Sequence, residues 1–275
     1  MAVDADGAVA DVGVFGGSGL YSLLEEVTEH RVTTPYGDPS ASVHVATVGG
    51  LRVAFLPRHG ARHQFPPHRI NYRANLWAMR TLGVTRLLGP CASGSLQRHL
   101  RPGDVVVCDQ LVDRTWGRPD TFYDGPAANH VSFADPYCEQ LRSVAVNAAE
   151  AEGVPVHPSG TVVVIPGPRF ATRAESRSYR AAGWDVINMT QYPEAVLARE
   201  LGLCYATLAL ITDYDTGVED EPGVHPVTQQ EVFAFFETNL DRLRAVLLRA
   251  LGTLPREHTC GCAGAPNGID VTPPG

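Results

Sequence analysis

Lysine is absent from this 275-residue chain, so all 22 of its basic residues are arginine. That absence excludes a Walker-type phosphate loop, a pyridoxal Schiff base and a lysine general base, since each needs the amine. Any anion bound here must be held by arginine, histidine, hydroxyls and backbone N–H groups. Also missing is an apolar run of the ~18 residues that a membrane span requires. The formal net charge is −8, which argues against nucleic acid or an anionic membrane as the main partner. Residues 1–11 are acidic and alanine-rich, without the basic start and apolar core of a signal peptide, so the expected compartment is the cytoplasm. No internal repeat or linker divides the chain.

Hydrophobic residues make up 44% of the sequence and charged residues 19%, an ordinary balance for a folded core. Six cysteines are present. Cys91, Cys108, Cys138 and Cys204 lie in apolar segments and read as small buried hydrophobes. Cys260 and Cys262 flank one glycine near the end, with no pair at zinc spacing beside them. They read as a local disulfide or part of a flexible tail over 256–275, not as a metal site.

Apolar β-rich runs predict strands at 12–15, 43–48, 52–56, 84–89, 105–108, 162–165, 186–188 and 204–212. Several are continuous, as expected of strands covered on both faces. Helices are predicted at 71–82, 136–152, 173–182, 194–200 and 228–251. In the last, Thr228 and Glu231 suit a capping box, and Val232, Phe236, Leu240, Leu243, Leu247 and Leu251 follow at spacings of three and four. The alternation predicts an α/β fold: one domain over 12–255, a central mixed sheet flanked by helices, after a flexible N-terminus of residues 1–11.

Gly16, Gly17, Ser18 and Gly19 follow the first strand, where a glycine-rich turn lets N–H groups approach an anion; a plain tight turn is the alternative. The run fails as a dinucleotide fingerprint, with Ser22 where a third glycine belongs, and as a nucleophile elbow, with Leu20 in place of glycine. Arg58 and His59 at a strand end suit a dianion, the guanidinium giving a forked contact. His59, His63 and His68 suggest a metal set, but the interleaved Arg58, Arg62 and Arg69 would repel a cation. Residues 89–96 form a third small-residue loop, where ligands bind in α/β sheets or a strand merely turns into a helix. Asp213 and Asp215 end a buried strand on one face. Such carboxylates are costly without a polar task, and a protonated one can serve as a general acid. A purine would occupy both, through N7 and an exocyclic amine; a solvated turn or a metal pair stays open.

Together these segments resemble the trimeric purine nucleoside phosphorylases, in their methylthioadenosine-cleaving branch. The resemblance runs from about residue 12 to about 251. It is carried by GVFGGSGLY, TPYGDPS, RHG, NYRANLWA, GSL with RPGD, DQLVDRT, FYDG, GPRF, RAES, INMTQYPEAVLARELGLCYA and TDYD. It implies a phosphate held among Ser18, Arg58, His59, Cys91, Ala92 and Thr190. Ser18 and Cys91 stand where the family favours threonine, and the thiol is the poorer donor. It implies Asn188 and Met189 at the ribose, Phe170 packed on the base with Ala171 and Tyr214 nearby, Asp213 at purine N7 and Asp215 at the adjoining base edge. Val232 and Phe233 would close the 5' pocket, and His130 would reach that of the adjacent subunit in a homotrimer.

The implied reaction is phosphorolysis of 5'-methylthioadenosine, or a close 5'-modified adenosine, with no cofactor or metal and with phosphate as co-substrate. Two carboxylates favour a 6-aminopurine, whose amine donates. Ala171 departs from a serine frequent in that branch. A 6-oxopurine phosphorylase and a non-catalytic nucleoside-sensing module are the alternatives.

Overall fold

A computed structural model describes residues 7–16, 26–126, 128–216, 218, 228–269 and 271. The described strands are β1 (Val12–Val14), β2 (Thr28–His30), β3 (Val43–Val48), β4 (Leu51–Phe55), β5 (Arg86–Leu88), β6 (Cys91–Ser95), β7 (Val105–Val106), β8 (Gln110–Asp113), β9 (Val156–His157), β10 (Thr161–Val164), β11 (Val186–Asn188), β12 (Cys204–Ala206) and β13 (Ala209–Tyr214). The described α-helices are α1 (Tyr72–Thr81), α2 (Glu139–Ala151), α3 (Arg173–Ala181), α4 (Gln191–Glu200) and α5 (Gln229–Gly252).

The α/β class holds, and the pairing falls into two mixed sheets. One runs β12-β5-β1-β4-β3-β2, the other β8-β10-β11-β6-β13-β7-β9. The chain passes between them three times, from β5 to β6, from β11 to β12 and from β12 to β13. The expected strand at 204–212 is therefore two strands, broken where the Thr207 hydroxyl donates to the Gly89 carbonyl at 2.7 Å. A second difference lies at 89–96, expected as a loop. Residues 91–95 form β6, antiparallel to β11 and parallel to β13. Alanine, serine and glycine carry little strand propensity, so sheet pairing overrides the local signal.

The helix ends obey local chemistry. Thr228 and Glu231 form the expected capping box on α5, and Thr172 and Glu175 form another on α3. The apolar stripe of α5 divides in two. Leu243, Val246, Leu247, Ala250 and Leu251 are buried at helical spacing against the sheet and α2, whereas the first half is more open. Burying each such leucine contributes about 1.5–3 kcal/mol, so the second half anchors the helix and the first is spared for other work.

Among the described residues, 9–11 and 256–269 make contacts with the rest of the fold. Val9 and Ala10 donate to the Leu82 carbonyl, and Asp11 pairs with Arg52. Residues 256–269 lie against the body. Arg86 donates to the Glu257 carbonyl at 2.9 Å, Asn129 to Pro266 at 2.9 Å and Tyr123 to Ile269 at 3.0 Å. Cys260 and Cys262 are both free thiols, not a local disulfide. Cys262 is buried, and a short 3-10 turn (Cys262–Gly264) follows. No helix among the described residues is long and apolar enough to cross a membrane.

Candidate active site

A cavity of about 750 Å³ opens where the C-terminal ends of β1 and β4 meet β6, β11 and β13, with the first half of α5 as its far wall. Its polar end is built on Arg58, which follows β4 and is buried. An arginine so placed needs a counter-charge, and Glu194 of α4 supplies it. Nε donates to Oε1 at 2.6 Å and the terminal nitrogen to Oε2 at 3.0 Å. The other terminal nitrogen donates to the Pro90 carbonyl at 2.7 Å. Tyr205 donates to Glu194 at 2.8 Å, and the guanidinium lies over the Phe15 ring. Burial works against the Arg58 charge, but Glu194 outweighs it, so the guanidinium stays charged and its pKa is raised. Three of five guanidinium N–H groups are used in these bonds, and two remain for an anion.

His59 places Nδ1 2.9 Å from the Phe65 carbonyl, which accepts, so this nitrogen carries the proton. Burial lowers its pKa to about 4, leaving the ring neutral at pH 7. Its remaining Nε2 is then an acceptor, suited to the protonated oxygen of a hydrogen phosphate. His63 stacks on His59 with centroids 4.5 Å apart and meets the Phe233 ring edge-on. Cys91 and Ala92 lie at the start of β6, beside Thr190 at the N-terminus of α4, where the threonine side chain makes no capping bond. The backbone is non-helical at Tyr192, so Thr190 would offer an anion its hydroxyl and N–H rather than the end of a continuous helix. The Cys91 sulfur is taken up by Asn188 at 3.3 Å, with Thr207 at 3.5 Å and Gln191 at 3.6 Å around it. Its side chain thus serves the polar interior, and an anion beside it would meet backbone. Of the glycine-rich turn, Gly16 spends its N–H on the Leu56 carbonyl, while Gly17, Ser18 and Gly19 lie outside the described residues.

The opposite end carries the two carboxylates. Register shifts between Ile211 and Asp213 as β13 runs along β6, and this bulge turns Asp213 into the cavity. Thr212 donates to its Oδ2 at 2.7 Å. Burial raises the Asp213 pKa to about 7, with the Asp215 charge adding to it. Asp215 is 2% exposed and burial raises its pKa against the pull of the Ser176 hydroxyl and the Thr216 N–H, while its Oδ2 makes no hydrogen bond of normal length among the described residues. A buried acceptor without a donor costs free energy until a ligand supplies one. Gly94 makes room for the pair. A Cβ there would stand 3.1 Å from Asp213 Oδ1 and 3.3 Å from the Asp215 Cβ. Gly94→Ala should therefore displace both carboxylates and lower kcat/KM by roughly 10–100-fold in a folded protein. Steady-state kinetics beside a thermal melt checks this.

Between the two ends lie Asn188, Met189, Phe170 and Ala171. Gly167 is required where it is, since a Cβ would fall 2.5 Å from the Met189 sulfur. Arg169 clamps Glu175 with two bonds of 2.8 Å, tying the Phe170 loop to the start of α3. Val232, Phe233, Phe236 and Leu240 form an apolar wall.

Most of the expected residues thus converge, and two do not. Tyr214 faces away from the cavity and donates to the Arg98 carbonyl, because alternation along the strand opposes it to its neighbours. His130 is exposed and does not line the cavity of its own chain. Glu194 was not singled out from sequence, although a buried arginine demanded some such partner.

The family model of the phosphorylase superfamily matches residues 11–252. A purine nucleoside phosphorylase of Streptomyces coelicolor is 53% identical over 272 residues, covering 95% of this chain and 96% of that one. The S-methyl-5'-thioadenosine phosphorylase of Mycolicibacterium smegmatis is 53% identical over 251 residues, covering 90% and 93%. Among solved structures, a methylthioadenosine phosphorylase from Schistosoma mansoni in complex with adenine superposes with a TM-score of 0.86, at 38% identity, covering 94% of this chain and 96% of that one.

Proposed function

The chain belongs to the phosphorylase superfamily, and from that premise we propose that it cleaves 5'-methylthioadenosine with inorganic phosphate, releasing adenine and 5-methylthioribose 1-phosphate. The observation that carries the choice of base is Asp215. Its buried Oδ2, which makes no hydrogen bond of normal length among the described residues, accepts from a 6-amino group and would repel a 6-oxo oxygen. The methylthio group fits the apolar wall of Val232, Phe233, Phe236 and Leu240.

Phosphate sits between Arg58, His59, Ala92 and Thr190, with Ser18 as a further hydroxyl donor. The ribose rests on Met189 with Asn188 beside it, and the base packs on Phe170. As the bond between purine N9 and the anomeric carbon lengthens, its electron pair passes into the ring. N7 takes the proton of Asp213, and a phosphate oxygen bonds to the anomeric carbon. Asp213 regains its proton from solvent. The protein adds no covalent step; holding phosphate in line and stabilising the charge on the ring supply the rate. No cofactor enters this scheme. His130, exposed and outside its own cavity, suits a residue that completes the 5' pocket of a neighbouring copy in a homotrimer. The reading places the enzyme in the cytoplasm, acting on a small nucleoside.

The test is base release from 5'-methylthioadenosine and 5'-methylthioinosine, with and without phosphate. Rapid adenine release that depends on phosphate, with little hypoxanthine, is the expected result. Preference for the inosine would overturn the role of Asp215 and leave a 6-oxopurine phosphorylase. Release that ignores phosphate would remove the anion site from the mechanism, and no release at all would favour a sensing module.

A further inference from the structure

Cys138, Cys204, Cys260 and Cys262 are far apart in sequence, yet their four sulfurs all lie within 4.8 Å of one another. Three of the four are buried, and Cys260 is half-buried. We propose that these four cysteines bind one structural zinc ion as a tetrathiolate site.

The geometry fits a single thiophilic ion. Zinc–sulfur bonds of about 2.3 Å in a tetrahedron put neighbouring sulfurs roughly 3.8 Å apart, within the span found here. A disulfide needs about 2.05 Å. The Cys204 and Cys260 sulfurs stand 3.3 Å apart as free thiols, so the set is compact without being bonded.

The surroundings suit a metal tetrathiolate, which carries two negative charges. Cys138 is the N-cap of α2, so the positive end of the helix lies at the set. Arg199 lies 3.9 Å from the Cys262 sulfur, and His258 Nδ1 3.7 Å from that of Cys204. Arg199 offsets thiolate charge and the His258 ring can orient one sulfur, as outer partners of metal ligands do. Four thiols left empty in so small a volume would gain little of this. None of the four cysteines lines the cavity. The site's work is to tie the segment at 256–269 to the starts of α2 and β12. Binding releases up to four protons, one from each thiol, and involves no oxidation.

The full chain, purified under thiol reductant without chelator, should contain about one zinc per chain by elemental analysis. After removal of the metal, cobalt(II) should restore thiolate-to-metal charge-transfer bands and the visible bands of a tetrahedral ion. The Cys260→Ser/Cys262→Ser variant should lose both signals and melt at lower temperature, with phosphorolysis at low temperature unchanged. The wild-type measurements stand even if that variant fails to fold. Metal-free protein with the four thiols titratable and no cobalt bands would overturn the proposal. So would a mass about 4 Da low, from two disulfides, or iron in place of zinc.

Discussion

Asp213→Asn is expected to lower kcat by roughly 10²–10⁴-fold, the range for loss of a positioned general acid, with little change in KM for phosphate. The amide keeps the shape of the carboxyl and can still donate a hydrogen bond, but it cannot give up a proton to N7. The pH profile separates the two roles. With its pKa raised to about 7 by burial, Asp213 is protonated below that value and ionised above it. Wild-type kcat/KM should therefore fall as pH rises past about 7, approaching tenfold per unit, and the asparagine variant should lack this limb.

Stability moves by the same logic. In an unfolded chain the carboxyl titrates near 4, so between there and about 7 the folded state holds the extra proton. Its protonation favours the native state at low pH, and that contribution is lost as pH climbs through the window. Asp213→Asn should accordingly melt above the wild type at pH 8 and lose that advantage at pH 4. A variant equally active at all pH would remove Asp213 from the chemistry.

The second large effect is at Arg58. Arg58→Ala should raise KM for phosphate by about 100-fold or more, through loss of a charge-assisted forked contact. KM for the nucleoside should move far less. The same change strands Glu194, which is 1% exposed, without its partner. Removing one member of a buried ion pair typically costs about 3–5 kcal/mol, so chemical denaturation should show a large loss. Arg58→Met with Glu194→Leu tells the two effects apart. An apolar pair of similar volume should recover most of the stability and none of the phosphate affinity. If the double variant regained phosphate use, the anion would lie elsewhere.

Glu194 also shows why the sequence was only partly readable at this site. Arg58 and His59 were legible because adjacent donors at a strand end have few structural uses. Their partner lies 136 positions away, on α4, in a segment whose apolar residues read only as helix. The carboxylates were legible for a similar reason, being polar groups at the end of a buried run. What separates Asp213 from Asp215 in duty came from the resemblance and not from local pattern. It depends on the bulge in β13, on the room left by Gly94 and on which oxygen finds a donor. The strand at 91–95 was missed because its small residues carry no pattern, and Tyr214, which the resemblance implied near the base, is turned away by alternation along the strand.

The cysteines make the same point most sharply. Spacing along the chain argued against a metal site, since only Cys260 and Cys262 are near neighbours. The fold brings Cys138 and Cys204 to them by running the end of the chain past the start of α2 and the start of β12.

The sequence by itself determined the α/β class, the capping of the last helix and that any anion bound here must be held without lysine. Each rests on local periodicity, on side-chain chemistry or on a plain absence. Only the tertiary structure decided that Arg58 answers to Glu194, that Cys91 turns its thiol inward and that four cysteines share one volume. Those are contacts between distant segments, and no local pattern encodes the path that joins them.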